Sequence, residues 1–135
     1  MEALIRELLG RENDMSYDIT FKVKVDGIEN RYVEVGECTA NVTWNLREMI
    51  VKSTGLAWKN EENNGLCKEV IPHIIDGLKE LTMHPAKYKQ YEAKNGWGTI
   101  EGCKRFFTTI IQDWNQFCED SWWKDLADVT YFWIE

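Results

Sequence analysis

The 135-residue chain is short of the residues from which most recognisable sites are built. It has two histidines, His73 and His84, each isolated, and four cysteines, Cys38, Cys67, Cys103 and Cys118, none in a Cys-x-x-Cys pair. A structural zinc site normally shows closely paired ligands, so no metal is expected. No apolar run approaches the roughly 18 to 20 residues of a membrane span. Positive charge is scarce: 16 Lys and Arg stand against 23 Asp and Glu, a formal charge of −7. A chain whose main job was to grip a phosphate backbone would be basic, so direct nucleic-acid binding is not expected. Gly-x-Ser-x-Gly, His-Glu-x-x-His, the P-loop and the dinucleotide fingerprint are all missing, so we expect no enzyme and no cofactor. The opening Met1 to Gly10 is interrupted by Glu2, Arg6 and Glu7 and does not read as a secretion signal. The expected compartment is therefore a reducing cytoplasm, with all four cysteines free.

Apolar residues make up 44% of the chain and charged residues 29%, a globular composition, and the length suits one domain with one core. Leu4, Ile5, Leu8 and Leu9 suggest a short N-terminal helical extension over 1–14, with the domain proper over 15–135. From Tyr17 to Asp26, Ile19, Phe21, Val23 and Val25 alternate with polar residues. Arg31 to Val35 alternates again, and Asp26-Gly27 marks the turn between them, so the pair reads as a β-hairpin. Cys38 to Asn45 reads as polar and irregular, and Lys59 to Gly65 as a solvated loop. Leu46 to Thr54 reads as a short helix closed by Gly55. Cys67, Val70, Ile71, Ile74, Ile75, Leu78 and Leu81 trace one helical stripe, in which Pro72 implies a kink or a late start near Val70. A glycine at Gly77, inside that helix, implies a close neighbour. Ala86 to Tyr91 reads as a short helix after His84-Pro85. Thr99 caps a last helix whose stripe runs from Cys103 through Phe106, Phe107, Ile110 and Trp114 to Phe117 and Cys118. Val129 to Ile134 reads as a strand apolar on both faces, central in its sheet or covered on both sides. The expected fold is α+β: a small antiparallel sheet, from the N-terminal hairpin and the C-terminal strand, with three or four helices on one face.

Seven tryptophans are present: Trp44, Trp58, Trp97, Trp114, Trp122, Trp123 and Trp133. Trp114 and Trp133 fall at core positions; the others fall in loops or at element ends. Such rings either fold back over a small core or serve as anchors in an interface. Trp122 and Trp123 stand among Glu119, Asp120 and Asp125, in a tail where six acids from Asp113 to Glu135 face the single Lys124. An acidic patch with exposed tryptophans suits a basic protein partner. Asn41-Val42-Thr43-Trp44-Asn45 places polar side chains at a helix start, where they cap the helix or point into a pocket. Asn95-Gly96-Trp97-Gly98-Thr99 precedes a helix N-terminus, either as a tight turn or with amides open to an anion. Asn41, Trp44, Asn45, Asn95, Gly96, Trp97 and Thr99 are thus candidate ligand-binding residues.

Several of these motifs also occur in a familiar order: Met15-Ser16-Tyr17-Asp18-Ile19, Asn41 to Asn45, Ile71-Pro72, Pro85 with Tyr88, and Asn95 to Thr99. In this the chain resembles a family of small uncharacterised bacteriophage and prophage proteins over about Met15 to Cys118. Residues 1–14 and the tryptophan-rich tail depart from the family pattern. The resemblance carries no catalytic residues, but it implies a setting, the cytoplasm of an infected bacterial host. There a small acidic protein without enzymatic motifs is expected to inhibit a host defence system, a CRISPR-type nuclease or similar, by binding a nucleic-acid-handling host protein. The alternatives are a module that sequesters a small ligand or nucleotide signal, and an accessory phage structural or regulatory protein.

Overall fold

A computed structural model of the chain describes residues 16–135. The expected helix over 1–14 lies outside the described residues. Among the described residues five antiparallel strands form one sheet: β1 (Ser16–Lys24), β2 (Tyr32–Glu34), β3 (Asn41–Thr43), β4 (Glu62–Leu66) and β5 (Thr130–Ile134). The order is β2-β1-β5-β4, with β3 also on β1. β2 pairs with Lys22 to Lys24 and β3 with Ser16 to Asp18, so the two short strands follow each other along β1. The α+β class and the hairpin are as the alternation implied. β3 and β4 are corrections: the first stretch looked irregular and the second a solvated loop, and both are paired strands. β5 is central, between β1 and β4.

The helices are α1 (Arg47–Thr54), α2 (Cys67–Met83), α3 (Pro85–Tyr88) and α4 (Ile100–Glu119), with 3-10 turns at Trp44–Leu46, Lys89–Tyr91 and Lys124–Val129. No helix among the described residues is long and apolar enough to cross a membrane. α1 ends where Gly55 adopts φ 78° and returns its amide to the Val51 carbonyl at 2.9 Å. α2 starts at Cys67, earlier than the late start Pro72 suggested. Pro72 therefore sits inside the helix and offers no amide to the Lys68 carbonyl.

The core lies between helices and sheet. Tyr17, Ile19, Phe21, Phe132 and Ile134 from the strands meet Ile74, Phe106, Phe107 and Ile110 from α2 and α4, all buried. Ile75 and Leu78, placed on the α2 stripe, are only partly buried against this cluster. Trp58 looked like a loop residue but is 1% exposed. It meets Tyr17 and Phe106 edge-on at 5.7 and 5.8 Å. Trp114 is core, as expected, whereas Trp133 is half-buried on the opposite face of the sheet, where Lys22 Nζ sits 4.3 Å from its ring.

Candidate functional site

Arg105, Thr109, Asp113, Gln116 and Asp120 follow one another at three- and four-residue spacing, so they form one stripe along α4 and its C-terminal cap. Opposite them runs the segment 36–43, and between the two lie successive hollows that share Thr39. Thr39 is tied to α4 there: its amide and its hydroxyl both donate to Asp113 Oδ2, at 2.8 and 3.1 Å.

The hollow at the C-terminal end of α4 holds about 430 Å³ and is lined by Glu37, Thr39, Asp113, Asp120, Phe117 and Trp123, among others. Its floor is aromatic. Trp114, Phe117 and Trp123 stack in sequence, with centroids 5.0 and 6.2 Å apart and planes within 14° and 17° of parallel. Phe21 props this stack edge-on at 5.3 Å from Trp114 and 5.6 Å from Phe117. Gly36 lets segment 36–43 cross the Phe117 ring. A Cβ there would lie 2.5 Å from Phe117 Cδ2, and its φ of 61° suits glycine. Three carboxylates, of Glu37, Asp113 and Asp120, thus line the same hollow as Phe117 and Trp123.

Asp120 ends α4 and organises the tryptophan pair. Its Oδ1 accepts from the amide of Trp122 at 2.7 Å and from that of Trp123 at 3.3 Å, an Asx-type turn. This separates the two rings. Trp123 turns in onto Phe117, while Trp122 stands 78% exposed, edge-on to Trp123 at 6.3 Å. Of the acids singled out in the sequence, Asp120 lines the hollow. Glu119 and Asp125 are exposed and do not line it. Glu119 lies with Asp128 near Cys118, whose thiol is pushed up by burial first and by those two charges after it. Glu37 gave no signal in the sequence, and Asp113 counted only among the acids of the tail.

The hollow nearer the start of α4 holds about 490 Å³. It gathers four of the seven candidate ligand residues, Asn41, Gly96, Trp97 and Thr99, and adds Arg105 from α4. Trp44, Asn45 and Asn95 do not line it. Trp44 stacks on Tyr17 at 5.9 Å, and the Asn95 side chain accepts from the Trp97 amide at 3.0 Å. Thr43 caps the 3-10 turn by accepting from the Asn45 amide at 3.4 Å, and Thr99 caps α4 by accepting from Gly102 at 3.0 Å. The first amide of α4 is also taken. Ile100 donates to Glu92 Oε2 at 2.9 Å, so a carboxylate of the chain itself sits where a bound anion was imagined.

Nucleophile chemistry is disfavoured at the cysteines. Burial pushes the Cys38 and Cys103 thiols up to about 12 and raises Cys67 further, so all three stay protonated at neutral pH. Tyr88, likewise pushed up to about 12 by burial, donates its hydroxyl to Glu80 Oε1 at 2.6 Å and locks α3 against the end of α2. Compared with models of known families, with curated proteins and with solved structures, the chain matches none.

Proposed function

We propose that this protein is a non-enzymatic binding protein that docks, through the acidic, tryptophan-bearing end of α4, on a basic surface of a nucleic-acid-handling host protein and blocks it. The observation that supports this most is that Glu37, Asp113 and Asp120 line one hollow with the stacked Phe117 and Trp123, with the exposed ring of Trp122 beside Trp123. Surfaces that hold nucleic acid are rich in Arg and Lys. Carboxylates that line the hollow steer such a surface, and an arginine that enters meets acceptors beside the Trp123 ring. Trp122 covers apolar area at little entropic cost and acts as the anchor that slows release. The setting is the one that the resemblance to phage and prophage proteins implies, an inhibitor of a host defence nuclease, CRISPR-type or similar, in the infected cell.

The test is a quantitative capture from bacterial lysate with three baits: the natural chain, Trp122→Ala and Asp120→Lys. The proposal expects a basic nucleic-acid-binding protein that is retained by the natural chain, released by salt and depleted on both variants. Equal retention on all three baits would contradict it.

A further inference from the structure

The hollow at the start of α4 is independent of the acidic end, and its chemistry is opposite. Arg105 is the one charged side chain that lines it, and among the described residues Arg105 has no ion-pair partner. The hydroxyls of Thr43 and Thr99 each accept an amide, and among the described residues neither donates a hydrogen bond, so each has a proton to give. Asn41 spends its amide nitrogen on Asp18 Oδ1 at 2.6 Å and Ser16 Oγ at 3.1 Å, which leaves its oxygen as an acceptor. Trp97, 47% exposed, supplies an unoccupied aromatic surface. Residues that carry a guanidinium, two hydroxyl donors, one acceptor and one ring thus line a single space of about 490 Å³.

We infer that this hollow binds a small ligand with a flat ring and a terminal anion, of the class of a nucleoside monophosphate. The anion pairs with the planar fork of Arg105 and accepts hydrogen bonds from the hydroxyls of Thr43 and Thr99. The base lies against Trp97, and an exocyclic amino group donates to the Asn41 oxygen. The Ile100 and Gly102 amides at the head of α4 take no part, because Glu92 and Thr99 already hold them.

The test uses the full chain and three probes: adenosine monophosphate, adenosine and inorganic phosphate. The readout is the indole N–H resonance of Trp97 in two-dimensional NMR, assigned with Trp97→Phe. The expected result is a saturable shift with the monophosphate at millimolar concentration and about tenfold weaker binding of adenosine. Arg105→Gln should abolish that difference while the melting temperature is unchanged, since Arg105 is exposed. No saturable shift with the monophosphate would overturn the inference. So would equal affinity for adenosine, which would remove Arg105 from the site, or a shift reproduced by phosphate alone, which would leave an anion contact and no base site. None of these outcomes depends on the acidic end.

Discussion

Gly77 shows how much a single residue decides in this fold. A Cβ at that position would lie 2.6 Å from Thr54 Cγ2 and 2.9 Å from Phe107 Cε2, both belonging to buried residues. Alanine gains about 1 kcal/mol in helix propensity, but overpacking costs about 1 to 3 kcal/mol, and here the buried side chains of Thr54 and Phe107 must both shift. Gly77→Ala should therefore destabilise, seen as a lower midpoint in denaturant with an unchanged slope. The same reasoning separates the tryptophan pair. Trp122→Ala should leave the melting temperature almost unchanged, because the ring is 78% exposed. Trp123→Ala removes a ring stacked on Phe117 and should lower it by several degrees. At this scale the sequence showed that something packs against Gly77. It could not show which neighbour, nor that Trp58 is core, because a lone ring in a polar stretch has no periodicity to place it.

Elements were legible where a side-chain period exists. The stripes of α2 and α4 and the alternation in β1 and β5 carry their own register. β3 and β4 do not. Asn41-Val42-Thr43 is three residues long, and Glu62-Asn63-Asn64-Gly65-Leu66 is polar, with a register shift between Asn63 and Leu66. Both are strands because β1 and β5 present unpaired edges, which is a property of the neighbour and not of the stretch itself. The hollows were half legible for the same reason. The turn at Asn95 to Thr99 and the stretch at Asn41 to Asn45 stood out by composition, but segment 36–39 is placed against α4 by β1. The start of α4 also gives a pH prediction. Glu92 is held below the usual carboxylate range, first by its bond from the Ile100 amide and then by Lys89. Its folded form thus binds a proton less readily than its unfolded form. That contribution is complete above the usual carboxylate range and is lost as pH falls through the lowered value. Glu92→Gln should lower the melting temperature at pH 7 and make the natural chain's extra loss on acidification disappear, which melts at successive pH values check.

For the whole molecule, the groove between α4 and segment 36–43 has Arg105 toward its start and Glu37, Asp113 and Asp120 at its end. The overall charge of −7 hides this division. The order of strand-like and helical stretches in the sequence agrees with the α+β class, but only the packing of α4 against segment 36–43 brings residues from distant parts of the chain to each end. The central claim is that the end of α4 receives a basic partner by carboxylates and stacked aromatic rings that line one hollow. Titration of the full chain with an arginine-rich peptide tests it most directly, beside the same peptide with citrulline at every arginine, at low and high salt. The account predicts saturable binding of the arginine peptide that shifts the indole resonances of Trp122 and Trp123, weakens with salt and is lost in Asp120→Lys. Equal binding of the citrulline peptide, or shifts that spare both tryptophans, would contradict it.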